Sequence, residues 1–138
     1  MRKSLLILSI VLFIILLSGI LITQCDTDKK AINKKLTEMA SNLNESAPVM
    51  LDDFTRFDNA TVTGENVFQY NYTVLNTQNP DSLIKEVESS LIKNIKLEFN
   101  TNPQLLFFKE NNVSIDYVYN DENNQVIRRI QIDSSNYK

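Results

Sequence analysis

From Leu5 to Ile22 the chain runs 18 residues without a charge, and only Ser9, Ser18 and Gly19 break its aliphatic character. At about 1.5 Å per helical residue such a run spans roughly 27 Å, just enough for a hydrocarbon core. It exceeds the roughly 7–15 residues of a secretory-signal apolar region. Arg2 and Lys3 supply a short positive flank. We therefore expect an uncleaved signal anchor over residues 1–25, with residues 5–22 in the membrane. The N-terminus should stay in the cytoplasm. Residues 26–138 should then form an extracytoplasmic domain, periplasmic or extracellular, of a single-pass membrane protein. Lys29, Lys30, Lys34 and Lys35 on the far flank, partly offset by Asp26 and Asp28, make the charge bias mild.

Two other forms of the segment compete with the anchor. A cleaved signal needs small residues before the cut, and Thr23 with Cys25 fits poorly. A lipoprotein signal needs a small residue before the lipidated cysteine, and Gln24 stands there, so Cys25 is a lipidation candidate with a damaged motif.

The rest is the size of one domain. Cys25 is the sole cysteine, which excludes an internal disulfide and a cysteine-rich metal site. Histidine is absent, which removes the commonest general base and metal ligand. Gly19 and Gly64 are the only glycines, so no phosphate-cradling loop exists. Residues 26–138 hold 12 Lys/Arg against 17 Asp/Glu, an acidic balance that argues against nucleic acid. Asparagine occurs 17 times, which we ascribe to low-GC coding bias of the kind common in bacteria.

Periodicity places the elements. Ile32, Leu36, Met39 and Leu43 form one face of a helix over 27–45, ending before Ala47-Pro48. Thr55–Thr63 and Val67–Leu75 read as a hairpin, and Gly64 suits a turn position of positive φ. Phe68, Tyr70, Tyr72 and Val74 share one face of the second strand. Asn79 as N-cap and Pro80 at N1 open a helix to about Leu97, with Leu83, Ile84, Val87, Leu91 and Ile95 as its buried stripe. The run Leu105–Phe108 fits a buried strand or a helical turn equally. Val113–Tyr119 and Val126–Ile132 alternate around a polar turn and form the last hairpin. The expected fold is α+β: an antiparallel sheet of about 4–5 strands against two helices.

Few residues offer chemistry. Asp52 and Asp53 are adjacent carboxylates, but neighbours in an extended segment point apart and no third ligand is spaced with them; a polar loop explains them. Asp121–Asn124 lacks the ligand spacing and glycine of a calcium loop and reads as a hairpin turn. Phe68, Tyr70, Tyr72, Tyr117 and Tyr119 form an aromatic set on two strands, either a recognition surface or a sheet face packed under helices, and the four tyrosines are carried as partner-contact candidates. Of Arg128 and Arg129, one can pair with Asp116 across the hairpin; Arg129 is carried as a partner-contact candidate. No catalytic residues, cofactor or metal are expected.

Two stretches carry a resemblance: Pro48 to Asp58 with the strand Phe68-Gln69-Tyr70-Asn71-Tyr72, and Val113 to Tyr119 with Val126 to Ile132. Together they resemble short exported bacterial proteins, anchored or lipidated, of unassigned function. The resemblance implies no catalytic residues. The first functional expectation is a membrane-tethered module that binds another envelope protein. The alternatives are an immunity or superinfection-exclusion protein, and a small lipoprotein or secreted ligand-binding protein.

Overall fold

The computed structural model describes residues 28–64, 66–133 and 135. The expected membrane segment 5–22 and Cys25 lie outside them. Among the described residues no helix is long and apolar enough to cross a membrane.

Helix α1 covers residues 28–44, followed by a cis Ala47–Pro48 bond. A short strand β1 (Val49–Met50) leads into β2 (Thr55–Val62) and β3 (Phe68–Val74). Helix α2 (Pro80–Thr101), a 3-10 turn (Pro103–Leu105) and α3 (Leu106–Glu110) then carry the chain to β4 (Ile115–Asn120) and β5 (Val126–Ile132). The five strands lie in sequence order.

The sheet is mixed, which corrects the antiparallel expectation. β3 and β4 pair in parallel, Phe68 opposite Ile115 through Thr73 opposite Asn120, while the other pairs are antiparallel. The expectation failed because each hairpin was legible locally, whereas the pairing between hairpins is set by the helical crossover. The Leu105–Phe108 run resolves as helix, and Phe108 is fully buried.

One sheet face carries Phe57, Ala60, Phe68, Val74, Ile115, Ile130 and Ile132, all buried in a core with Leu36 and Ala40 of α1, Ile84, Ile95 and Phe99 of α2, and Phe108 of α3. The stripe of α1 is rotated from expectation: Ala40 is buried and Leu43 is exposed. On α2, Ile84 and Ile95 are buried but Val87 is not. Phe108 ties the elements together, edge-on to Phe68 at 5.2 Å and to Phe99 at 6.5 Å between ring centroids.

The turns depart from expectation in one consistent way. Gly64 does not adopt positive φ; Asn66 does, at 59°, as do Asn76, Asn112 and Asn124. Asparagine tolerates the left-handed region because its short amide bonds locally. Asn79 precedes α2 but makes no side-chain cap. The structure also adds β1, which covers only Phe57 and Arg56 of the β2 edge. Further along that edge, Asn44 of α1 gives Nδ2 to the Ala60 carbonyl (2.9 Å) and accepts the Ala60 N–H (2.7 Å), satisfying groups that no strand reaches.

Phe108→Ala should lower the free energy of unfolding by about 3–5 kcal/mol in urea titrations, since it empties the junction of both crossover helices and the sheet.

Candidate functional site

The parallel register stacks four tyrosines. Tyr70 lies opposite Tyr117, and Tyr72 opposite Tyr119. Ring centroids are 5.3 and 5.0 Å apart, with planes 19° apart in both pairs. Tyr72 and Tyr117 complete the ladder at 6.5 Å and 2°. In-register parallel strands bring like side chains side by side, so the alternation in each strand generates the stack. Phe57 closes one side, 6.3 Å from Tyr70 and 5.8 Å from Tyr72.

The ladder lies on the helix-covered face, yet α2 does not cover it fully. A cavity of about 270 Å³ opens between them, lined by Ile84, Val87, Leu91 and Ile95 of α2, by Tyr72, Tyr117 and Tyr119, and by Leu51, Asp52 and Thr55. Leu51 and Val87 are exposed at its lips, 58% and 39% accessible. The β1–β2 turn that forms one wall is set by Asp52, whose Oδ1 accepts the N–H groups of Phe54 and Thr55, both at 2.7 Å. Asp52 thus acts as a turn brace. Among the described residues no group of three or more acidic or cysteine side chains could hold a metal ion.

The phenols are held neutral. Burial pushes Tyr70 up to about 12, and burial followed by the Asp52 charge pushes Tyr119 to about 12. Tyr72 and Tyr117 are raised further by burial, then by the other phenols, with Glu98 adding to Tyr117.

The opposite face is polar. Asp58, the extra residue of a β2 bulge, bonds Arg56 Nε and accepts the Thr73 hydroxyl. Asn71 donates to Asn59 (2.8 Å), and Gln69 donates to Asn71 (2.7 Å). Arg129 bonds Asp116 on this face, while Arg128 turns to the helix face and pairs with Glu88 at 2.9 Å. The five sequence candidates therefore divide: the four tyrosines come together, and Arg129 lies on the other side of the sheet. Sequence reasoning missed Leu51 and Val87 as groove lips. Leu51 gave a signal only as an apolar residue beside Asp52, outside any periodic stripe.

Residues 30–137 match the model of a family described as a domain of unknown function, DUF8479. The chain belongs to the DUF8479 family. No curated protein matches it. Its fold is similar to three solved structures. A candidate secreted protein of Pseudomonas aeruginosa superimposes with a TM-score of 0.69 at 13% identity, over 80% of this chain and 96% of that one. The pilotin EpsS of the Vibrio vulnificus type 2 secretion system gives 0.63 at 8% identity, over 82% and 97%. The type II secretion pilotin AspS of Vibrio cholerae gives 0.59 at 12%, over 81% and 97%. The DUF8479 domain therefore shares their architecture along nearly their whole length.

The phenols set an alkaline limit. Below pH 10 they are neutral in both folded and unfolded chains and contribute no pH dependence. Above 10 the unfolded chain releases phenolic protons that the folded chain retains to about 12 or beyond, so stability falls as pH rises through this window. Alkaline titration should show most phenolate absorbance appearing together with loss of circular dichroism; a gradual rise near pH 10 with intact structure would contradict the burial.

Proposed function

We propose that this domain is an interaction module of the cell envelope that takes an apolar segment of another envelope protein into the groove between α2 and the tyrosine ladder. The observation that carries the reading is the groove itself, with a floor of Ile84, Leu91 and Ile95 and exposed lips Leu51 and Val87. Apolar side chains left at an open cleft gain about 25 cal/mol per Å² when a partner covers them. Tyrosine suits such a wall, because it adds broad contact area with little loss of side-chain freedom. Export of the domain is supported by the apolar run Leu5–Ile22 and by a fold similar to a candidate secreted protein and to pilotins of secretion systems. The reading assigns no catalysis to the groove: its phenols stay protonated far above neutral pH, and Asp52 is engaged by two backbone N–H groups.

A second reading concerns the tether. Similarity to a candidate secreted protein favours a small lipoprotein or secreted protein over a chain held by a transmembrane helix. Cys25 then carries acyl groups or lies beside the cleavage point. The two forms of attachment separate in one experiment. Metabolic labelling with a fatty-acid analogue should mark the wild-type chain and not Cys25→Ser if the anchor is lipid. If the anchor is the helix, neither chain is labelled and both stay in carbonate-washed membranes.

The groove is tested by crosslinking from intact membranes. Leu51→Asp with Val87→Asp should reduce capture of the partner at least about tenfold while changing stability by roughly 0.5 kcal/mol or less, because both residues are exposed. Leu97→Asp, on the outer side of α2 and 59% accessible, should leave capture intact. Equal capture by the groove double variant and the wild type would refute this use of the groove.

A further inference from the structure

A larger and quite different cavity lies at the other end of the sheet. It measures about 710 Å³ and is lined by Lys29, Lys30, Asn33 and Lys34 of α1 and by Gly64 and Asn66 of the β2–β3 turn. The turn is latched to the helix: Asn33 donates to the Asn66 side chain at 2.9 Å, and Asn66 donates to the Lys29 carbonyl at 3.1 Å. None of the three lysines forms an ion pair with another described residue, whereas Lys35 is 4.0 Å from Glu38. Asp28 is next to them in sequence, and Glu65 lies outside the described residues.

The charge of the chain is polarised around this cavity. Residues 26–35 hold four lysines and two aspartates, while residues 36–138 hold 8 Lys/Arg against 15 Asp/Glu. The apolar run ends at Ile22, so six residues, or seven Cα–Cα steps, separate it from Lys29. Fully extended, that stretch reaches at most about 25 Å. A domain tethered by this run or by Cys25 therefore keeps its lysine end within reach of the lipid headgroups. Its acidic body is repelled by the same surface.

We infer that Lys29, Lys30 and Lys34 form a docking surface for the phosphate headgroups of anionic lipids. It sets the domain upright on the membrane. The inference rests on the proposed tether but not on the groove. Ammonium groups attract lipid phosphate as point charges, and the attraction weakens as salt is raised. The expected strength is about fivefold in occupancy of the docked state per lysine. Docking fixes the groove as well, because Tyr72 and Tyr119 sit at the far end of strands about seven residues long, roughly 20 Å from the β2–β3 turn.

The full chain, carrying Cys25→Ser and a donor dye at Gly64→Cys, is reconstituted into vesicles with a headgroup acceptor dye. A Cβ at Gly64 meets nothing within 4 Å, so the cysteine side chain is accommodated. Energy transfer should be higher in phosphatidylcholine mixed with phosphatidylglycerol than in phosphatidylcholine alone. Salt should abolish the difference, and so should K29Q/K30Q/K34Q. K85Q/K93Q/K96Q, which removes the same charge from α2, should keep it. Inorganic phosphate at constant ionic strength should not reverse it; reversal would assign the site to free phosphate and overturn lipid docking. Co-flotation with equal transfer in both vesicles would overturn docking alone. Absence of co-flotation from both, for this variant and for the unlabelled chain with Cys25 intact and acylated alike, would remove the tether and the docking with it.

Discussion

The parallel pairing of β3 with β4 obliges the chain to leave the sheet at Val74 and re-enter at the opposite end, near Val113. An antiparallel neighbour could be reached through a tight turn, but a parallel one needs a crossover of a dozen or more residues. Here α2, the 3-10 turn and α3 supply it. The crossover must pack on one face of the sheet, and α1 joins it there through Leu36 and Ala40. Apolar residues of the three helices and of β2 to β5 thus converge on a single side, with Phe108 at their junction.

The same pairing creates the tyrosine ladder. A register shift of one residue would place Tyr70 and Tyr72 on the polar face, where Asp58, Thr73, Asn59 and Asn71 already bond to one another. Register is therefore determined from both sides of the sheet. Asp116 shows what the polar face costs. It is 5% accessible and bonded to Arg129, yet its Oδ1 has no partner among the described residues. Such a carboxylate is retained at an energetic penalty, and an exposed guanidinium recovers only part of it.

Much of this was legible from the sequence, because periodicity is local. Alternation in β3, β4 and β5 and the 3.6-residue stripe of α2 place each element within a few residues. What periodicity does not carry is which hairpin meets which, so the mixed sheet was missed. The turns failed for a related reason. Gly64 was the obvious left-handed residue, yet Asn66, Asn76, Asn112 and Asn124 take that conformation. In a chain with two glycines, asparagine does the work of glycine at turns, and coding bias alone does not explain its abundance. The four tyrosines were recognised as one set because they alternate. Leu51 and Val87 were not, since a groove lip is defined by the failure of two surfaces to close, and no residue pattern encodes that gap.

The gap has a physical origin in the ladder. Phenol rings stacked against one another across the parallel strands leave little space between them for the branched side chains of α2 to enter. Close contact is made near Ile84 and Ile95, the two buried aliphatic positions that bracket the groove, while Val87 between them is lifted clear. Filling the cleft from within would need a larger residue at 87, which would cover the apolar surface now left open. The stack that follows from the strand register therefore also keeps α2 from sealing the sheet, so the register and the open groove both depend on the same tyrosine ladder.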